Sequence, residues 1–156
     1  MKDYGTLHEL NGRHILKFER FFPVSQEEVF SILTSPEHFM QWYPFATGEM
    51  DIKIDGQIVF DDGEGTTYTA TITELKKPYL FSFREVDDLI NISLEEENSG
   101  CKMNFTHTFD DASWAVNTAA GWHRCLDVFS QIIKGEATNW QDNSAELREI
   151  YSKAFS

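Results

Sequence analysis

Cys101-Lys-Met-Asn-Phe-Thr-His-Thr-Phe109, then Asp110-Asp111, then a run without proline from Ser113 to Lys134 that closes on Gly135: this stretch decides the fold. Its first nine residues alternate. Cys101, Met103, Phe105, His107 and Phe109 share one face, and Lys102, Asn104, Thr106 and Thr108 the other. That is the period of a strand with one buried and one wet face. Beyond the two aspartates the period changes. From Trp122 onward, Cys125, Leu126, Phe129, Ile132 and Ile133 recur at three and four, the stripe of a helix buried along one side. At about 1.5 Å per residue such a helix spans ~33 Å, enough to cover the apolar face of a sheet.

Upstream, the strand pattern repeats. Leu89–Glu95 places Ile90, Ile92 and Leu94 on one side, and Tyr79–Glu85 does the same with Tyr79, Phe81 and Phe83. Thr66–Leu75 sets Tyr68, Ala70 and Ile72 against four threonines. Met50–Ile54 and Gln57–Asp61 flank Asp55-Gly56, a two-residue hairpin signal. Lys76-Lys77-Pro78 and Asn98-Ser99-Gly100 mark turns. Before this meander His14–Phe22 reads as a strand stopped by Pro23. Ser25-Gln-Glu-Glu28 then forms a capping box, and Ser35-Pro36 opens a second short helix. Met1–Gly12 is polar and expected to be loose. After Gly135 a short tail helix is expected over about 143–154.

The pattern predicts an α+β fold: a curved antiparallel sheet of about seven strands wrapped around a long C-terminal helix, with two short helices after the first strand. A length of 156 residues suits one domain, 1–156, with its core at about 13–135. With 26 acidic and 13 basic residues the net charge is −13 and the pI about 4.6. That field repels phosphate, so neither nucleic acid nor an anionic membrane is an expected partner. No apolar run of spanning length occurs, and no signal peptide is visible, so the cytoplasm is the expected setting. Cys101 and Cys125 fit no metal spacing and are expected to be reduced structural thiols, and no metal or other cofactor is expected. Asp61-Asp-Gly-Glu64 lacks the remaining positions of a calcium loop and reads as a solvated hairpin.

Three stretches carry a resemblance. Arg20-Phe-Phe-Pro-Val-Ser-Gln-Glu-Glu-Val-Phe30, Leu33-Thr-Ser-Pro-Glu-His-Phe-Met-Gln-Trp-Tyr-Pro44 and Gly121-Trp-His-Arg-Cys-Leu126 together resemble the START-like helix-grip superfamily, also called SRPBCC. Within it the chain looks most like the branch homologous to the activator of heat-shock-protein-90 ATPase. The likeness covers roughly Arg13 to Gly135. The tail is longer than the minimal domain of that family, and the proline before the first helix sits earlier, as Pro23. The resemblance implies a cavity between sheet and long helix that holds lipids, sterols, polyketides or flavonoid-like rings. No shared catalytic motif maps onto this chain.

The chain is rich in rings, with 13 Phe, 5 Tyr and 4 Trp. Strand and helix parity turn many of them inward, which serves equally a packed core and a ligand cavity. The candidate ligand-binding residues are Trp42, Phe60, Tyr68, Phe81, Phe83, Phe105, His107, Trp122 and Phe129, with Trp42 and Phe39 at the mouth. His107 is the one titratable group among apolar inward neighbours. It is either a core histidine satisfied by backbone or a group that bonds a ligand oxygen or acts as a base. His123 is expected on the helix flank or in solvent. Arg20 and Arg84 are expected at the sheet surface; turned inward, either would need a partner, Glu19, Glu85 or a ligand carboxylate. The first functional expectation is binding of a small hydrophobic or amphipathic ligand without catalysis. The second is a co-chaperone-like interaction module with a chaperone partner, as monomer or homodimer. The third is a cyclase- or hydrolase-type enzyme using His107.

Overall fold

The computed structural model describes residues 3–156. Eight antiparallel strands form its sheet: β1 (Thr6–Leu10), β2 (Arg13–Phe22), β3 (Ala46–Met50), β4 (Gln57–Asp61), β5 (Thr67–Lys76), β6 (Leu80–Glu85), β7 (Asp88–Glu97) and β8 (Gly100–Phe109). Their spatial order is β1-β2-β8-β7-β6-β5-β4-β3, so the second strand of the first hairpin pairs with the last strand of the chain and β3 forms the far edge. α1 (Gln26–Leu33) and α2 (Pro36–Trp42) lie between β2 and β3 in the chain. α3 (Ala115–Ile133) follows β8, and α4 (Ser144–Ala154) closes the chain. Among the described residues no helix is long and apolar enough to cross a membrane.

Alternation decides which face is covered. In β2, Leu16, Phe18, Arg20 and Phe22 are buried; in β8, Cys101, Met103, Phe105, His107 and Phe109 are buried. α3 lies on this face, bringing Trp122 to Phe105 (ring centroids 5.0 Å) and Phe129 to Phe22 (5.5 Å). α4 packs on α3 and buries Leu147 and Tyr151. On the outer face Lys102 reaches Glu19 (3.1 Å) and Glu95 (3.3 Å) across three strands. Of the expected capping box the N-cap half forms, with the Glu28 amide donating to Ser25 Oγ at 3.1 Å. Ser35 makes no such cap; its hydroxyl meets His38 Nδ1 at 2.9 Å instead.

Three expectations are corrected. The sheet has eight strands rather than about seven, because the supposedly loose N-terminal stretch contains β1, hydrogen-bonded to β2 through an Asn11-Gly12 turn with both φ positive. The strand expected at Met50–Ile54 lies earlier, at Ala46–Met50. Asp55-Gly56 is therefore no two-residue hairpin but the end of a longer loop. In that loop the Asp55 amide donates to the Ile72 carbonyl. A Cβ at Gly56 would sit 2.0 Å from the Asp51 carbonyl oxygen, so only glycine fits the approach. The expected long helix over 113–134 begins as a short 3-10 turn at Ala112–Trp114. It is capped by Asp111, whose Oδ1 accepts from the Ser113 amide at 3.0 Å.

Candidate functional site

Between the sheet and α3 the predicted inward rings meet one another. Trp42, Phe60, Phe81, Phe83, Phe105 and Phe129 are fully buried, Trp122 nearly so, and Tyr68 is half-buried and stacked on Phe60 at 5.0 Å. Trp42 and Phe39 are thus floor rather than mouth. α2 folds inward because its apolar residues Phe39 and Trp42 are three apart and Tyr43 continues them at its C-terminus. Tyr43, which parity reasoning did not single out, is the hub. Its ring lies 4.7 Å from Phe39, 5.0 Å from Trp122, 5.5 Å from Phe60 and 5.6 Å from Phe83. Burial and the nearby Glu85 push its phenol pKa well up, so the hydroxyl stays neutral. One donor in this cluster is unsatisfied: the fully buried indole N–H of Trp42 has no partner. A buried orphan donor of this kind costs about 1–3 kcal/mol.

His107 sits where the ring cluster reaches the end of the sheet. Trp122 Nε1 donates to its Nδ1 at 2.9 Å, and its Nε2 lies 2.9 Å from Asp88 Oδ2. Indole nitrogen only donates, so Nδ1 is the bare acceptor and the proton sits on Nε2, donated to Asp88. Desolvation lowers the His107 pKa, against the opposing pull of Asp88. The imidazole is therefore neutral and engaged at both nitrogens, by two side chains, where the core alternative had a backbone partner. As it stands it has no free lone pair for acid–base work.

Beyond His107 opens a pocket of about 350 Å³. The β6–β7 turn supplies Val86 and Asp87, and the start of β7 supplies Asp88. β8 and the segment after it supply His107, Phe109, Asp110, Asp111 and Trp114, and α3 supplies Thr118. Arg13 ties two of these walls, donating to Asp110 Oδ1 (2.7 Å) and to the Asp87 carbonyl. Trp114 is 63% exposed, and its indole is oriented by Asp111 Oδ2 at 2.9 Å. Val86 is 84% exposed and held at φ 54, a conformation strained for a β-branched residue. Of the nine candidate residues only His107 lines this pocket. The others were legible as inward-facing. The aspartates and Trp114 were not, because they come from turns or from the first residue of an element, where periodicity carries little facing information.

The opposite flank of α3 corrects two further expectations. Arg20 is not at the sheet surface but buried, 6% exposed. Its partner is Asp127 of α3 at 2.9 Å, together with the Asp3 carbonyl, rather than Glu19 or Glu85. His123 is buried rather than solvated. Its Nδ1 lies 2.9 Å from the Tyr151 hydroxyl, which also accepts the Gly5 amide at 2.8 Å. α4 covers this flank, which helix periodicity in α3 alone could not indicate. Arg84 is exposed, as expected.

Reactive chemistry is sparse. The two thiols are free and buried, and burial pushes Cys101 up to about 11 and Cys125 up to about 12, so neither is a nucleophile at neutral pH. No His/Cys/Asp/Glu group suited to a metal ion occurs among the described residues.

Known structures share this fold. A conserved protein of unknown function from Enterococcus faecalis superposes with a TM-score of 0.84 at 17% identity, over 97% of this chain and 90% of that one. CalU16 from Micromonospora echinospora gives 0.75 at 18% identity, over 96% and 94%. A chain of the Aha1 dimer from Colwellia psychrerythraea gives 0.65 at 14% identity, over 76% and 95%. At these identities the likeness establishes the helix-grip fold alone. No curated protein matches the sequence. Residues 23–134 match the family described as Activator of Hsp90 ATPase homolog 1-like protein, and that span takes in α1, α2, the sheet from β3 to β8 and all of α3. With most of its length inside that match, the chain belongs to the family of Activator of Hsp90 ATPase homolog 1-like proteins.

Proposed function

We propose that the chain binds a small hydrophobic or amphipathic molecule at the end of the helix grip, without transforming it. The observation that carries this reading is the pocket of about 350 Å³ whose inner wall is His107. Through Trp122, His107 is joined to the ring cluster of Tyr43, Phe60, Phe83 and Phe105. A ligand head would rest in the pocket. Its apolar body would enter the cluster by displacing rings, with Trp42, Tyr68, Phe81 and Phe129 forming the deeper wall. The unpaired Trp42 N–H supports the second part, since a ligand oxygen would satisfy a donor that the protein leaves bare. Catalysis by His107 has no comparable support, because both nitrogens are occupied. Titration with a panel of fatty acids, sterols and flavonoids, followed by amide and indole NMR, tests the proposal. Shifts are expected at Trp122, His107 and Trp114. If no amphiphile moves any of them, the reading fails.

A second reading, a co-chaperone-like module, is favoured by the family match. It expects capture of heat-shock protein 90 by the purified chain and stimulation of its ATPase. Absence of both removes it. Since the Colwellia psychrerythraea neighbour in fold is a dimer, light scattering should accompany that experiment to distinguish monomer from homodimer. A cytoplasmic setting is part of both readings.

A further inference from the structure

We infer that the molecule taken up at the His107 pocket carries a positive charge: an amine or quaternary ammonium group on an apolar body. The inference rests on the ligand-binding reading of this pocket and adds the ligand class to it. Three features of the cavity converge. The first is its concavity, about 350 Å³, a size for a small molecule rather than a bare ion. The second is its apolar wall. Trp114 offers an exposed indole whose orientation is held by Asp111, and Val86 and Phe109 continue the surface. An indole beside acidic groups is the favoured seat of an organic cation, because the ring quadrupole attracts a poorly hydrated positive group. The third is the charge balance of the lining.

Asp87, Asp88, Asp110 and Asp111 face the pocket, and no lysine or arginine lines it. Arg13 pairs with Asp110 and also donates to the Asp87 carbonyl, leaving the Asp87 carboxylate itself without an ion pair among the described residues. Asp88 is bonded to a neutral imidazole, so its charge remains. Asp111 accepts only from neutral donors, the Ser113 amide and hydroxyl and the Trp114 indole, so its charge remains too. These hydrogen bonds hold the Asp111 carboxyl below its usual pKa, which keeps it ionised. An anionic ligand would meet three uncompensated carboxylates beside a low-dielectric wall. A cation is drawn in by them and by the overall charge of −13. A bare divalent ion suits the site poorly. No group of three ligating side chains converges among the described residues, and Val86, Phe109 and Trp114 add apolar surface that a bare ion cannot use.

The test uses the intact chain and three probes of one shape: benzyltrimethylammonium, 3-phenylpropanoate and neutral 2-phenylethanol. Binding is read from the Trp114 indole and Val86 methyl NMR signals. The ammonium probe is expected to bind about tenfold more tightly than the alcohol, with no response to the carboxylate. Its affinity should fall several-fold when ionic strength rises from about 0.01 M to 0.15 M. Asp87→Asn, an exposed turn position outside the proposed ring wall, is expected to weaken the ammonium probe about threefold to fivefold and leave the alcohol unchanged. Trp114→Leu is expected to weaken it by a similar factor, and thermal melts of both variants report on their fold. Equal binding of alcohol and ammonium, or binding of the carboxylate, overturns the charge inference while the pocket still binds. Silence of both signals toward all three probes overturns the charge inference and the pocket reading together.

Discussion

His107 and His123 occupy opposite flanks of one helix interface and carry the same side chain, yet their settings differ. Both are buried, both contact a hydrogen-bonding aromatic, both sit near an aspartate, and desolvation lowers both pKa values. His123 is enclosed by four segments. Tyr151 comes from α4, Asp127 from α3, Arg20 from β2, and Tyr4 from the N-terminal stretch, its ring 4.8 Å away. A pocket of about 520 Å³ opens beyond Tyr4 and Arg20 on this flank, but His123 does not line it, and the group reads as a latch that fastens the chain's two ends to the core. His107 has the same chemistry but forms one wall of a pocket. Burial and a shifted pKa therefore do not separate a structural histidine from a candidate site; adjoining space does.

The comparison can be broken from the latch side first. Asp127→Ala leaves the buried Arg20 guanidinium, whose Nε already lacks a partner, without its carboxylate. Asp127 is itself partly exposed, so the expected loss is about 2–3 kcal/mol rather than the full cost of a buried pair. Urea denaturation measures it. A loss below about 0.5 kcal/mol would mean that the latch contributes nothing.

On the pocket side the corresponding change is Trp122→Phe, which keeps a ring and removes the indole donor to His107. Leaving Nδ1 unpaired should cost about 1–2 kcal/mol, in addition to a small packing loss. Imidazole ¹⁵N shifts should then show mixed tautomers where the native protein shows the proton on Nε2. An unchanged tautomer would refute the assigned Trp122–His107–Asp88 chain.

Acid should act on both ends. A histidine with a lowered native pKa takes up its proton more readily in the unfolded chain, whose value is about 6.5. Stability is therefore full above that pH and falls as pH drops below it, by at most about 1.4 kcal/mol per pH unit for each such group until the native form also protonates. His107→Gln and His123→Gln should each flatten the profile of melting temperature between pH 7 and 5. The profile fails to support the paired-histidine account if neither does. For His107 the facing charges are Asp88 and Arg13; for His123 they are Asp127, Arg20 and Asp3.

The smallest effect belongs to the pocket rim. Val86→Gly removes a side chain that is almost wholly exposed and relieves its positive φ. It is expected to stabilise the fold by up to about 1 kcal/mol, less the backbone entropy that glycine loses. A destabilisation on thermal melting would show that the valine packs against something at the pocket.

Much of this was legible in advance, and the misses have physical causes. β8 and α3 were read correctly because each buries one face continuously, and one-sided burial imposes a period. β1 was missed because it lies at a sheet edge with both faces largely wet, so nothing forced its residues to alternate. The Asn11-Gly12 turn was its available signal. β3 was displaced because its pairing with β4 shifts register between Ala46 and Met50, which breaks the period. Arg20 was assigned to the surface on its charge, although its parity with Phe18 and Phe22 pointed inward.

The order of elements from β4 onward, the inward faces of β8 and α3, the acidic balance and the family likeness were determined by the sequence, since each depends on spacing along the chain or on composition. The closing of the rings on one another, the pairing of His107 with Trp122 and Asp88, and the gathering of four aspartates from separate segments around one pocket were decided by the tertiary structure. These depend on how side-chain volumes and directions from distant segments add up in one place, and no local period encodes that sum.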